Sequence, residues 1–264
     1  MNDLEELINI EHNPTPDEIF KHLTYTTDLL TSNKIKYWIV YGTLLGAVRQ
    51  NDIIPYDYDF DIGIEYNDYE KILNLNSEIS KDNYSFVKGK NVLYEYKNHK
   101  NSIYGFKMSL KIMFNENPVG DMYIYHKCED EFMRRYDPKE QILFWPNSTF
   151  PYAFINTLID LKIRDKTFKA PSSPKSLLIH WYGETWTEPI KANSQGGPGF
   201  EDYDYYGSYK YSQLNFLIKE VKENFGLELK KNFDLSKVKY IFPLDQINWI
   251  KDNELNRKSN IKNK

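Results

Sequence analysis

Hydrophobic positions along the chain switch between two rhythms. Ile19, Phe20, Leu23 and Leu30 recur at roughly helical spacing. Thr15, Pro16, Asp17 and Glu18, just ahead of them, supply an N-cap, a proline at the first helical position and a capping-box acid. A first helix is therefore expected, ending near Ser32 and Asn33. KYWIVY, from Lys36 to Tyr41, is a short continuous apolar run rich in β-formers and reads as a buried strand. Gly42 and Thr43 break it, LLGAVRQ opens a second helix, and residues 51–55 form a loop. DFDIGIE, from Asp59 to Glu65, alternates: Phe60, Ile62 and Ile64 face one way, Asp59, Asp61 and Gly63 the other. YNDYEKILNLNSEI predicts a further helix with Tyr69, Ile72, Leu73 and Ile79 inward, and short strands are expected around 84–87, 92–96, 106–113 and 119–125. Helix, strand, helix, strand and then a meander specify an α/β (α+β) fold, a mixed sheet flanked by helices.

Past Ala192 the pattern changes. NSQGGPGFEDYDYYGSYK is rich in glycine and tyrosine and predicts a long surface loop. YSQLNFLIKEVKENFG then carries Leu214, Leu217, Val221 and Phe225 on one helical face with Gly226 as a C-cap, and KVKYIFPL offers one more strand. The expected division is a domain over 1–192 and a loop with a C-terminal extension, 193–264, packed on it.

Composition narrows the function classes. The 264 residues are 41% hydrophobic and 27% charged, as in a folded globular protein. The net charge of −4 gives no basic face for nucleic acid; only the terminal KDNELNRKSNIKNK is lysine-rich, and it reads as a solvated tail. A single cysteine, Cys128, excludes an internal disulfide and a multi-thiolate zinc site. No apolar run approaches the roughly 18 residues of a membrane span, and MNDLEELINIEHN lacks the basic and apolar regions of a signal peptide. A soluble, cytoplasmic protein is the expectation. The 22 tyrosines and 15 phenylalanines exceed what a core needs; they either line a polar groove or reflect drift in composition.

The candidate chemistry lies in VYGTLLGAVRQNDIIPYDYDFDIGIE, Val40 to Glu65. Asp59 and Asp61, two apart on a strand, sit about 6.5–7 Å apart along one face and can converge on a divalent cation; equally, they can splay to water at a sheet edge. Upstream, a strand ending in Gly42-Thr43 at a helix start offers free N–H groups and a hydroxyl to an anion. Arg49, two turns on, can clamp a phosphate or simply lie exposed.

These residues carry a resemblance. YGTLLGAVR (Tyr41 to Arg49) followed by IIPYDYDFDIGI (Ile53 to Ile64) resembles the LicD/fukutin family of phosphotransferases, a branch of the nucleotidyltransferase-fold superfamily. VGDMYIY (Val119 to Tyr125) resembles the family's apolar strand with an internal aspartate, and APSSPKSLLIHWYGETWTEP (Ala170 to Pro189) its closing segment, so the likeness covers about residues 20–190. Tyr56 stands where the family usually has Trp, Tyr58 where many bacterial members are acidic, and MYIYHK replaces an Ile-Phe-Pro-Leu run. The resemblance implies a nucleotidyltransferase-like catalytic domain over 1–192. It implies a Mg²⁺- or Mn²⁺-dependent enzyme that moves a phospho-alcohol (phosphocholine, ribitol phosphate or glycerol phosphate) from a CDP-linked donor to a glycan or glycoconjugate hydroxyl. It further implies Asp59, Asp61 and Asp121 as metal ligands and catalytic residues, with Asp121 either completing the metal site or acting as base. Gly42, Thr43, Arg49 and Asp57 would hold the donor's phosphates. Nucleotidyl transfer from NTP and a non-catalytic glycan-binding module are the competing readings.

Other positions are weaker. Lys107 and Lys111 lie on a strand face that either reaches the cleft or is solvated. His180 reads as a core histidine, with a general base as the alternative. Trp181, Tyr182 and Trp186 pack a helix end around Gly183 or stack on a ligand. His126 and Cys128 lack a second thiol for a metal site. Arg134 and Arg135 are expected at the surface, with an anionic acceptor as the alternative.

Overall fold

The computed structural model describes residues 14–88, 109–138, 142–143, 148–188, 211–229 and 239–240. Helix α1 (Pro16–Ser32) starts as the capping pattern predicts: the Thr15 N–H donates to Glu18 Oε2 at 2.8 Å and the Glu18 N–H to Thr15 Oγ1 at 3.3 Å. It buries Ile19, Leu23 and Leu30. Strand β1 (Tyr37–Ile39) is wholly buried. Helix α2 (Tyr41–Gln50) begins earlier than its sequence suggests. The chain reverses at Tyr41 itself, which adopts a left-handed φ of 43°, so Gly42 and Thr43 fall inside the helix's first turn. Val40 stays extended as the N-cap, and its carbonyl accepts the first helical bond from the Leu44 N–H at 3.0 Å.

Strand β2 (Phe60–Glu65) follows, with Asp59 immediately ahead of it. The helix expected over 66–79 is broken into a 3₁₀ turn (Tyr66–Asp68), α3 (Tyr69–Asn74) and α4 (Asn76–Ile79). Asn76 explains the break. Its side chain accepts from the Phe86 N–H at 2.7 Å and donates to the Phe86 carbonyl at 2.9 Å, an amide clasp that ties this turn to the next strand. Tyr69, Ile72 and Ile79 are buried as expected, Leu73 partly.

Strands β3 (Tyr84–Lys88), β4 (Ser109–Phe114) and β5 (Asn117–Lys127) form the meander; the strand expected at 92–96 lies outside the described residues. β6 (Phe132–Arg134), β7 (Tyr136–Asp137), β8 (Ile142–Leu143), β9 (Phe150–Pro151) and the short α5 (Ala153–Asn156) follow. A hairpin, β10 (Leu158–Ile163) and β11 (Lys166–Pro171), leads to helix α6 (Pro174–Tyr182). The main sheet runs β1-β2-β5-β4-β3, with β6 on the end of β5 and β9 on β6. Within that run only β2 and β5 are parallel. The architecture is thus a mixed α/β sheet flanked by helices.

The sheet has two unlike faces. Phe60, Ile62 and Ile64 of β2, Met122 and Ile124 of β5, and Leu110 and Ile112 of β4 share one face and are buried. α1 reaches the far side of this face, its His22 ring packing on Tyr84 and Phe114. The opposite face carries Asp61 and Gly63 of β2 beside Asp121 and Tyr123 of β5. On that face Gly63 pairs with Trp38, and a Cβ at Gly63 would lie 2.4 Å from the indole Nε1, so only glycine lets the ring lie flat on the strand.

At the C-terminus, α7 (Tyr211–Phe225) buries Leu217 and Val221 in the same core and sets Phe225 against Phe154 at 6.2 Å. Gly226, at φ 65°, closes it, its N–H donating to the Lys222 carbonyl at 3.1 Å. The Leu214 side chain, the Tyr-rich loop and the expected boundary at 192/193 lie outside the described residues. β12 (Lys239–Tyr240) pairs in parallel with β8, which adds the strand anticipated from KVKYIFPL.

Candidate active site

Asp61 is held by the start of α2. The Gly42 N–H donates to Asp61 Oδ2 at 3.1 Å, the Asp61 N–H donates to Thr43 Oγ1 at 2.8 Å, and the Val40 N–H donates to the Asp61 carbonyl at 3.2 Å. A helix N-terminus favours negative charge, and here the charge it receives is a carboxylate of the neighbouring strand. Gly42 has no Cβ for a steric reason: one would stand 2.8 Å from Asp57 Oδ2 and 3.3 Å from Asp61 Oδ2. The glycine turn and the aspartates are one unit, packed so closely that a methyl group would push them apart.

The parallel pairing of β2 with β5 sets Asp61 directly beside Asp121. On the other side of β5, Lys111 of β4 pairs with Asp121, and its Nζ donates to Asp121 Oδ2 at 2.6 Å. A bulge creates this rung. β4 and β5 leave their turn with Phe114 opposite Asn117 and Met113 opposite Pro118, then the register shifts so that Ile112 meets Gly120. Without the extra residue, Val119, the ladder would bring Lys111 opposite Gly120 and turn Asp121 away from it.

Asp59, Asp61 and Asp121 each present a carboxylate oxygen, and these oxygens lie within 4.8 Å of one another. Oxygens around one octahedral Mg²⁺, at about 2.0–2.1 Å from it, lie roughly 2.9 Å apart when adjacent and ~4.2 Å apart when opposite, so the three carboxylates draw inward to share one ion. Asp121 Oδ1 is buried and has no hydrogen-bond partner, an acceptor waiting for a donor or a cation. The residues therefore fit a hard divalent cation.

Electrostatics tell the same story. Burial pushes the Asp57 carboxyl up to about 6. Burial first, then the charges of Asp121 and Asp57, push Asp59 to about 7, against the pull of Lys111. Asp61 stands well above the usual carboxylate range for the same reasons: burial, then Asp59, Asp57 and Asp121, with the Gly42 N–H pulling the other way. Asp57, Asp59 and Asp61 thus hold on to protons unless a cation replaces them.

Aromatic rings floor the site. The Tyr41 hydroxyl lies 2.9 Å from that of Tyr125, and its ring meets Tyr123 edge-on at 4.9 Å and Trp181 of α6 at 4.6 Å. Burial, then Asp61 and Asp121, raise the Tyr123 hydroxyl well above its ordinary range, so it stays a neutral donor beside the carboxylates. Tyr56 and Tyr58 project exposed rings from the loop that delivers Asp57 and Asp59.

The LicD/FKTN/FKRP nucleotidyltransferase domain matches residues 34–173 of this chain, a stretch that includes the helix-start cradle, all four aspartates and Lys111. This chain belongs to that family. Among its relatives, the uncharacterized protein RT0683 of Rickettsia typhi is 34% identical over 137 residues, 50% of this chain and 37% of that protein. Human ribitol 5-phosphate transferase FKRP is 48% identical over 44 residues, 17% of this chain and 9% of that one. Lipopolysaccharide cholinephosphotransferase LicD of Haemophilus influenzae is 28% identical over 74 residues, 28% of each chain. The chain thus spans little more than a third of the first of these relatives and less of the others. Among solved structures, the lincosamide antibiotic adenylyltransferase LnuA matches with a TM-score of 0.38 at 15% identity, over 61% of this chain and 84% of that one, a likeness too slight to bear on substrate.

Of the family-type residues singled out in the sequence, Asp57, Asp59, Asp61, Asp121, Gly42 and Thr43 meet at one point. Arg49 sits in the last turn of α2, seven residues from Gly42 or about 10 Å of helix rise, with its Nε buried and without a hydrogen-bond partner. Lys111 is no solvated bystander but the partner of Asp121; Lys107 lies outside the described residues. Both arginines expected at the surface are buried. Arg134 forms a bidentate pair with Asp130, at 2.6 and 2.7 Å, two buried charges that satisfy each other. Arg135 lies over the Tyr123 ring, 4.6 Å from its centre. His180 is a core histidine whose Nε2–H donates to the Thr149 carbonyl at 3.0 Å. Trp181 packs at the end of α6 against Tyr41 and Phe150, and Gly183, at φ 81°, closes that helix. Among the described residues, no other group of three side chains can hold a metal, and no helix is long and apolar enough to cross a membrane.

Proposed function

We propose that this chain is a Mg²⁺- or Mn²⁺-dependent phosphotransferase that moves a phospho-alcohol from a CDP-linked donor to a glycan hydroxyl. The observation that carries the reading is Asp61 and Asp121 side by side on parallel strands, with Asp59 beside them, inside a domain whose relatives include a ribitol 5-phosphate transferase and a cholinephosphotransferase.

The residues divide the work. Asp59 and Asp61, with Asp121 Oδ1, hold the cation, and a bound cation neutralises charge on the phosphate oxygens during transfer. Lys111 fixes the orientation of Asp121 through Oδ2 and leaves Oδ1 without a hydrogen-bond partner, open to the cation. The acceptor hydroxyl oxygen attacks the phosphorus that bears the alcohol; the bond from that phosphorus to the oxygen bridging to CMP breaks, and CMP departs with the electron pair. A carboxylate of the cluster takes the hydroxyl proton. Gly42 and Thr43 serve the donor indirectly, by holding Asp61 at the helix start, while Tyr56 and Tyr58 offer rings on which a base or sugar stacks.

The test is incubation with CDP-choline, CDP-ribitol and CDP-glycerol, each with Mg²⁺ or Mn²⁺ and with EDTA, read by thermal shift and by CMP release. The expected result is metal-dependent stabilisation and CMP release with one donor, both lost in Asp61→Asn. Pyrophosphate release from an NTP would point to nucleotidyl transfer instead. Turnover that persists in Asp61→Asn would sink the reading.

A further inference from the structure

Arg134 and Arg135 are neighbours with opposite fates. Successive residues of an extended chain point to opposite sides, and Arg134 turns to Asp130 while Arg135 turns to the face of the sheet that carries the aspartates. Only 7% of Arg135 is exposed. Its guanidinium stacks 4.6 Å from the centre of the Tyr123 ring. Tyr123 stands two residues beyond Asp121 on the same face of β5, paired with Gly63 as Asp121 is paired with Asp61. One aromatic ring therefore separates this cation from the carboxylate cluster. The Tyr41 hydroxyl lies on this divide, hydrogen-bonded to Arg135 and to Tyr125.

Among the described residues, Arg135 has no ion-pair partner within 4.0 Å, and its Nε is buried with no hydrogen bond. Burying a guanidinium without an anion is costly, and proteins do so where an anion arrives. Stacking on Tyr123 holds the planar fork in one orientation, which lowers the entropy lost when it binds a phosphate by two parallel hydrogen bonds. The carboxylates next door do not serve as that anion: among the described residues none forms an ion pair with Arg135, and Asp61 and Asp121 are bonded to the Gly42 N–H and to Lys111.

We propose that Arg135 is a second anion-binding group of this site, one that holds a diphosphate oxygen of the donor not held by the cation. This rests on the phosphotransferase reading for the identity of the donor, though the anion site itself is testable without turnover.

The probe is inorganic pyrophosphate, titrated in EDTA by calorimetry and thermal shift, so that no metal bridges it to the aspartates. Wild type is expected to bind. Arg135→Gln should weaken binding about tenfold or more, the loss of a charged hydrogen-bond pair, while Mn²⁺ binding, followed by electron paramagnetic resonance, stays as in wild type. Asp61→Asn should do the reverse, losing Mn²⁺ and keeping pyrophosphate. Arg135→Lys, which keeps the charge but not the fork, should fall between. Failure of wild type to bind pyrophosphate in EDTA, or equal binding by Arg135→Gln, overturns the proposal. Should Arg135→Gln not fold, a wild-type crystal soaked with pyrophosphate and EDTA decides the point: an anion out of hydrogen-bond reach of Arg135 overturns it. If pyrophosphate binds at Arg135 but no CDP-linked donor turns over, the anion site stands and the phosphotransferase reading fails.

Discussion

Asp59→Asn removes one charge from a cluster built of mutually repelling carboxylates, and it should stabilise the metal-free protein while abolishing its response to metal. Burial and the charges of Asp121 and Asp57 raise the Asp59 carboxyl from 3.8 to about 7. At roughly 1.4 kcal/mol per pH unit, ionising Asp59 in the folded protein above that range costs as much as ~4 kcal/mol relative to the unfolded chain. Neighbouring carboxylates share the burden and the side chain keeps some contact with water, so about 1–2 kcal/mol should be visible. Below about pH 3, under the unfolded value of 3.8, Asp59 is protonated in both folded and unfolded chains and the substitution gains nothing. As pH climbs from there towards 7 the folded protein retains a proton that the unfolded chain has lost, wild-type stability declines, and the advantage of asparagine grows to its full size. For a chain of this length that corresponds to a melting temperature about 3–6 °C higher at pH 8 in EDTA. The assay is a thermal melt of both proteins at pH 4, 6 and 8, in EDTA and with Mn²⁺. A lower melting temperature for Asp59→Asn at pH 8 in EDTA would refute the electrostatic reasoning. An undiminished Mn²⁺-dependent gain in the variant would refute the ligand assignment.

Two further outcomes follow from the supports of the site. Thr43→Val removes the acceptor for the Asp61 N–H and should cost about 1–3 kcal/mol in urea denaturation, the price of an unsatisfied buried donor, while Thr43→Ser should recover most of it. Arg134→Ala strands the buried Asp130 carboxylate and should cost about 3–5 kcal/mol, whereas Arg134→Met with Asp130→Leu should return close to wild type; equal losses in the single and double variants would contradict the pairing.

Local chemistry was legible wherever neighbours in sequence decide the structure. The Thr15–Glu18 capping box, the alternation of β2, the buried run of β1 and the Gly226 end of α7 all rest on contacts within a few residues. The likeness of Tyr41 to Ile64 to a known family supplied the aspartates by position. What could not be read was the break of the helix after Tyr66, because its cause, the Asn76 clasp on Phe86, is a contact between two elements. The reversal at Tyr41 was likewise hidden: aromatic residues seldom take a positive φ, and this one does so with its ring packed between Tyr123 and Trp181.

A glycine-led helix start close to a strand of alternating aspartates is written into one 26-residue stretch, and no distant contact is needed to bring the two together. Only the tertiary structure decided what that pair faces. Asp121 joins Asp61 through a parallel pairing of strands some sixty residues apart, and Lys111 reaches Asp121 through a one-residue bulge at Val119. Register is invisible along a chain, because a one-residue slip changes no composition and no periodicity, yet it turns every following side chain to the other face of the sheet. The fate of Arg134 and Arg135 is the same lesson in a single dipeptide: identical residues, one closed on Asp130 and one laid over Tyr123, separated only by the direction in which the folded strand points them.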